Sequence, residues 1–244
     1  MKNVAIFYHA ALMNKKWKPI VKDQVNKLKS VGLDKKAKLF CSLLGSNSDR
    51  DKFKKMYPMF EIIFEDTNFK NYEFPILNYI KKYSKKHDEY IFYFHSKGVS
   101  ITPKNIAEYE TNYDIIMENI EAWRKFLEYF TIENYKTCIH QLDFYDVVSA
   151  NLSTFPYIHY AGNYWWTTTN YIKTLPPVDQ APFQKNDIRY RCEFWIGCNP
   201  KANLRNITGA KAGYFSKIQP EDYEMEDGEI LIESTDSWPE LKPD

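Results

Sequence analysis

From Asp88 to Gly98 the chain reads DEYIFYFHSKG, an apolar run over Tyr90–Phe94 that ends without a break on His95, Ser96, Lys97 and Gly98. A strand that is apolar at every position has no face to give to water. It must therefore lie inside a sheet covered on both sides, the condition of parallel α/β sheets. In open sheets of this kind ligands bind beyond the carboxyl ends of the strands, so His95 and Lys97 become candidate site residues. The same four residues also suit a solvated turn with a glycine and a surface lysine.

The neighbouring segments supply the rest of the pattern. Asn3 to Tyr8 reads as a strand, and Trp17 to Val31 follows with helical spacing (Ile20, Val21, Val25, Leu28) until Gly32 ends it. Strands are predicted over 37–44 and 60–64, with helices over 49–57 and 72–83. This alternation predicts an α/β fold with a mostly parallel, twisted sheet flanked by helices. Past Pro103 a long helical region carries one apolar stripe (Ile115, Ile116, Ile120, Trp123, Leu127, Phe130) and then a second (Ile132, Tyr135, Ile139, Leu142), both read as core. A strand over 146–150, the aromatic segment Phe155 to Trp166, a short helix over 168–175 and a further helix over 189–196 complete the reading. Residues 1–218 are expected to form a single domain, with 1–100 and 101–218 as its halves. From Gln219 the chain holds ten acidic residues against one Lys, and 219–244 is expected to be a loosely attached tail.

At 244 residues the chain is long enough for a substantial core. Net charge is +1, yet residues 1–105 hold 21 Lys and Arg against 10 Asp and Glu, leaving 12 against 22 for the remainder. The basic excess lies in helix-like stretches where Lys forms a solvated face, so nucleic acid is not an expected partner. No apolar run approaches the roughly 18 to 20 residues of a membrane helix, and the N-terminus lacks the pattern of a signal peptide, which gives an expected cytoplasmic location. Cys41, Cys138, Cys192 and Cys198 show no C-x-x-C pairing and read as reduced structural thiols.

Neither G-x-x-x-x-G-K-[ST] nor G-x-G-x-x-G occurs, G-x-S-x-G is missing, and the five His residues are too scattered for zinc-ligand spacing. Three polar segments remain along or across one edge of the predicted sheet: Tyr8-His9, His95 to Gly98, and His159 to Trp166. Gly98 and Gly162 allow close backbone approach to a ligand, or serve as plain turn residues. Trp165 and Trp166 are neighbours on an extended segment and point oppositely, so at least one is expected to face a ligand rather than the core.

The segments YFHSKGVS, WRKFLEYF with its downstream CIHQL, YAGNYWWTTTNYIKTLP and RCEFWIG, in this order, resemble GT-A-type glycosyltransferases from polysaccharide loci of bacteria and large DNA viruses. The likeness spans roughly residues 3–200. It implies a GT-A-like, Rossmann-like fold whose first half binds a nucleotide sugar, with a UDP- or dTDP-sugar as the guessed donor, and whose second half binds a glycan acceptor. Carried over by position, Tyr8 and His9 lie where the first strand meets the nucleotide. His95, Ser96, Lys97 and Gly98 occupy the place of the usual Asp-x-Asp motif, and Gly162, Asn163, Tyr164, Trp165 and Trp166 line the donor-sugar and acceptor cleft. Glu193 falls where inverting members keep a catalytic carboxylate, with Asp187 as the second choice.

Asp-x-Asp holds a divalent metal that neutralises the leaving diphosphate, and this chain offers His95 and Lys97 instead, which puts Mn²⁺ or Mg²⁺ dependence in doubt. No cofactor is assigned. A positioned ammonium stabilises the same developing charge. The expected activity is transfer of a sugar from a nucleotide donor to a glycan, inverting rather than retaining, with Glu193 as base and Lys97 and His95 at the leaving group. Two other readings stay open: a non-catalytic carbohydrate-binding module built on the Trp and Tyr residues, and a phosphoesterase or nucleotidyltransferase that uses His95 and Lys97 on phosphate.

Overall fold

A computed structural model describes residues 2–103, 112–181 and 188–224. Its main sheet contains β1 (Asn3–Ala11), β2 (Ala37–Leu44), β3 (Glu61–Asp66), β4 (Glu89–His95), β5 (Val147–Ser149), β8 (Trp165–Thr168) and β9 (Leu204–Asn206). They are ordered β3-β2-β1-β4-β8-β5-β9, while β6 (Leu152–Ser153) and β7 (His159–Tyr160) pair apart from it. Every neighbouring pair in the main sheet is parallel except those made by β8, which runs against both β4 and β5. The fold is the expected α/β class, a mostly parallel sheet flanked by helices, with the β3-β2-β1-β4 order of Rossmann-like sheets.

The helices that matter for the site are α1 (Trp17–Ser30), α2 (Leu33–Lys36), α3 (Asn47–Met56), α4 (Phe74–Ser84), α5 (Tyr113–Glu128), α6 (Tyr135–Gln141), α7 (Thr169–Thr174) and α8 (Tyr190–Phe194). Strand alternation sorts the core into two layers. Ile6, Tyr8, Phe92, Phe94 and Trp166 pack with Val21, Val25 and Leu28 of α1 and with Phe126 and Leu127 of α5. Ala5, Phe7, Ile91, Tyr93 and Trp165 pack on the other face with Ile76, Leu77 and Ile80 of α4 and with Ile172 of α7. Helix α1 stops where Gly32 takes φ 73°. Helix α3 starts on Ser46, whose hydroxyl accepts from the Asp49 amide at 3.2 Å, a cap worth about 1 kcal/mol.

Because β2 and β3 build outward from one side of β1 and β4 lies on its other side, the sheet reverses its order between β1 and β4. In open α/β sheets such a reversal marks the crevice beyond the strand ends where ligands bind.

Three details differ from the sequence reading. The aromatic segment contains β8, a strand shared between β4 and β5, and Leu204–Asn206 adds an edge strand that carried no alternation signal. Ile115, expected on the apolar stripe, is 56% exposed because it sits one residue off the face that Ile116 and Ile120 bury. Tyr223 is buried against Phe126, Tyr129 and Phe130, so the packed chain continues past the expected boundary at 218. Asp187 and the greater part of the acidic segment lie outside the described residues. Among the described residues no helix is long and apolar enough to cross a membrane.

Candidate functional site

Three apolar rows turn polar at the crevice. On the face covered by α4 and α7, Phe7 is followed by His9, Phe40 by Ser42 and Tyr93 by His95, and the register sets His9 directly between Ser42 and His95. His9 Nδ1 lies 2.8 Å from Ser42 Oγ, both groups buried. Burial pushes the His9 imidazole down to about 4, with the Glu73 carboxylate opposing and His95 reinforcing the shift. His95 is also lowered to about 4, chiefly by burial and then by the Lys97 charge. Its Nε2 sits 2.9 Å from the Gly162 carbonyl oxygen, and since a carbonyl only accepts, that nitrogen carries the proton. Both rings are therefore uncharged at neutral pH. Of the two groups expected to supply positive charge, only Lys97 can.

The turn that presents Lys97 is tied on every side. Ser96 N donates to the His9 carbonyl at 3.0 Å, and Ser96 Oγ accepts from Ala11 N at 2.9 Å. The His95 carbonyl accepts from Tyr164 Oη at 2.6 Å and from Gln24 Nε2 at 3.1 Å. Gly98 follows with φ 95°, and a Cβ there would come within 2.9 Å of Ile120 Cγ2, so only glycine lets the chain pass α5 at this distance. The Lys97 ammonium lies 3.4 Å from the ring centre of Trp123, with Tyr214 at 5.8 Å. Burial lowers its pKa to about 8; Glu193 and Glu73 oppose the shift and Arg189 adds to it.

Two carboxylates thus act on Lys97 from separate elements. Glu193 on α8 also acts on His95, through its charge alone. Glu73, immediately before α4, was not foreseen. Its Oε2 accepts from Tyr93 Oη and, at 2.6 Å, from Asn163 Nδ2. Gln24 was also missed, although a polar residue on the otherwise apolar stripe Trp17, Val21, Val25, Leu28 is a legible signal.

The expected aromatic wall is not part of the cleft. Trp166 is fully buried on one face, stacked on Phe92 at 4.8 Å, with Nε1 donating to the Thr131 carbonyl at 2.7 Å. Trp165 is fully buried on the other face beside Tyr93, with Nε1 donating to Asn163 Oδ1 at 2.9 Å. They do point oppositely, but helices cover both faces, so neither direction leads to solvent. Tyr164 is buried and spent on the His95 carbonyl and Gln24. Asn163 is buried in the left-handed region, φ 54°, with its amide engaged by Glu73 and Trp165. Gly162 makes its close approach to α5, where a Cβ would meet Leu127 Cδ1 at 2.4 Å. Tyr8, placed by resemblance at the nucleotide, lies in the core with its hydroxyl on Gln24 Oε1 at 2.6 Å.

The turn from His95 to Gly98 does not fit a divalent cation: it offers an ammonium, a serine hydroxyl engaged by Ala11, and an imidazole whose Nε2 proton is committed to Gly162. Among the described residues no three His, Cys, Asp or Glu side chains converge as a metal site.

The chain is similar in structure to a nucleotide-diphospho-sugar transferase of Desulfovibrio desulfuricans (12% identity, TM-score 0.41, covering 79% of this chain and 74% of that one). It is also similar to 4-diphosphocytidyl-2C-methyl-D-erythritol synthase of Anaerococcus prevotii (10% identity, TM-score 0.45, covering 91% and 92%). A comparison with curated proteins finds no match. A family model spans residues 4–191, which takes in every strand of the sheet but the last together with the whole crevice up to α8, and the chain belongs to that family, DUF8361, a domain of unknown function.

Proposed function

We propose that this chain is a glycosyltransferase that moves a sugar from a nucleotide-sugar donor to a glycan acceptor. The observation that carries the reading is Lys97, a buried ammonium held by a rigid turn at the point where the sheet reverses its order, with Glu193 within electrostatic reach. In the proposed reaction the bond from the anomeric carbon to the diphosphate breaks as an acceptor hydroxyl oxygen bonds to that carbon. The hydroxyl proton passes to Glu193, and the negative charge of the departing diphosphate develops beside Lys97. A preorganised donor of this kind is worth about 10²- to 10³-fold in turnover. Inversion at the anomeric carbon follows from a single displacement with Glu193 as base.

The test is a thermal-shift and turnover screen with uridine and deoxythymidine diphosphates and their sugars, with and without Mn²⁺. A nucleoside diphosphate at a hundredfold excess over Kd should add about 2.7 kcal/mol of stability. Absence of any shift at millimolar nucleotide sinks the proposal, and activity that vanishes with a chelator and returns with Mn²⁺ sinks the Lys97 assignment.

One observation favours a second reading. With Trp165 and Trp166 in the core, the aromatic surface that spoke for sugar over bare phosphate is gone, which strengthens a nucleotidyltransferase or phosphoesterase using Lys97. The carbohydrate-binding module loses its platform for the same reason. Products decide: a phosphoesterase splits a nucleotide sugar with water into a sugar phosphate and a nucleoside monophosphate, a nucleotidyltransferase joins a nucleoside triphosphate to a sugar phosphate and releases pyrophosphate, and sugar transfer releases a nucleoside diphosphate.

A further inference from the structure

With the aromatic segment buried, the acceptor needs another place, and one cavity reaches Lys97. A pocket of about 460 Å³ lies between the first turn of α1 and the first half of α5, and its floor is Lys97 and Gly98. That volume is within the range of small-molecule sites. Ile20, Met117 and Ile120 form its apolar wall. Of the charged groups around it, Arg124 is held by Asp23 and Glu128, Glu121 by Lys125, and Glu118 by Lys217. Two remain. Lys16 Nζ has only neutral partners, the Ile101 carbonyl at 3.0 Å and the hydroxyl and ring of Tyr113, the ring centre at 4.8 Å. The Asp114 carboxylate makes no hydrogen bond or ion pair among the described residues.

We infer that this pocket binds the acceptor, as an uncharged, hydroxyl-rich sugar ring. The inference rests on the glycosyltransferase reading. A lone carboxylate accepts from vicinal hydroxyls, a lone ammonium donates to a third oxygen, and an apolar wall takes the C–H face of the ring. The Asp114 carboxylate, which has no ion-pair partner among the described residues, disfavours a phosphorylated or carboxylated occupant. The shared floor sets the acceptor beside the ammonium at which the diphosphate departs.

Two variants and two readouts test this. Met117→Trp fills the cavity from a partly exposed helix position, and Asp114→Asn removes the charge without changing shape. Saturation-transfer NMR with methyl glycosides of glucose, galactose and N-acetylglucosamine probes binding without any donor. The wild type is expected to show transfer to at least one glycoside, and Met117→Trp to lose it while melting close to the wild type. With an active donor, Asp114→Asn should raise the acceptor KM by about tenfold or more, the loss of a charged hydrogen bond, while uridine diphosphate still shifts the melting curve. No saturation transfer in the wild type, or transfer unchanged in a folded Met117→Trp variant, overturns the pocket assignment whatever the donor screen shows. A wild type that binds glycosides through this pocket but turns over no nucleotide sugar instead counts against the enzymatic reading alone.

Discussion

Lys97→Met removes a charge that the fold holds at a cost, and keeps nearly the same side-chain length. The ammonium's pKa of about 8, against 10.5 for an ordinary lysine, measures how far the folded state disfavours the charged form. At 1.36 kcal/mol per pKa unit the gap corresponds to about 3 kcal/mol at pH 7. Contact with the Trp123 face returns about 1 to 2 kcal/mol that the variant forfeits, so Lys97→Met should be more stable than the wild type by about 1 to 2 kcal/mol. The sign with pH follows from linkage. The folded value lies below the unfolded one, so between about pH 8 and 10.5 the unfolded chain binds more protons, and wild-type stability rises relative to the variant. The advantage of Lys97→Met is full below pH 8 and should fade as pH approaches 10.5. Urea denaturation of both proteins at pH 7, 8, 9 and 10 measures this directly. A variant less stable than the wild type at pH 7, or a difference that does not change with pH, refutes the claim that this lysine is an energetic burden kept for chemistry.

Other outcomes are open to measurement. Trp165→Ala and Trp166→Ala should each cost about 3 to 5 kcal/mol in chemical denaturation, as for a large buried aromatic, and wild-type stability in either would return that residue to the cleft. Gly162→Ala should lower the melting temperature by several degrees, since φ is 98° and its Cβ would strike Leu127; an unchanged melt means α5 gives way freely. Imidazole C2–H resonances of His9 and His95 should titrate near pH 4, with stability falling as pH drops from about 6.5 through 4 because the unfolded rings take up protons first; midpoints near 6.5 would mean both rings are solvated. Glu73→Gln removes a charge that raises the Lys97 pKa, so the alkaline limb of any activity near pH 8 should move to lower pH, and an unmoved limb would leave Glu73 with hydrogen bonding alone.

The first four strands were legible because β1, β2 and β4 are long and strongly apolar, β3 carries the apolar run Ile62–Phe64, and helices separate them. Strand β8 was not. Four residues are too few for alternation to register, and two adjacent tryptophans read as a surface when the fold makes them the filling of two different layers. The rule that neighbours on a strand point oppositely was applied correctly; what it lacked was the knowledge that helices cover both faces. Glu73 carries no sequence signal at all. It belongs to the site because α4 begins against Tyr93 and Asn163, and the latter is 90 residues away along the chain. Tyr8 failed for a simpler reason: β1 runs three residues beyond it, leaving it a turn's depth inside the core.

The reversed strand β8 also governs the order in which the molecule can be completed. Tyr90 to Tyr93 of β4 pair with Trp165 to Thr168, so the inner edge of the parallel half is closed only by a segment more than seventy residues later. Until that segment arrives, β4 presents an open row of backbone groups flanked by Phe92 and Tyr93, the kind of edge on which other chains assemble. A ribosome must therefore deliver about two thirds of the chain before its most apolar strand is sheltered, and such distant pairings close slowly. A fragment ending near residue 103, although it holds four intact strands and the whole polar turn, is expected to aggregate rather than to survive on its own.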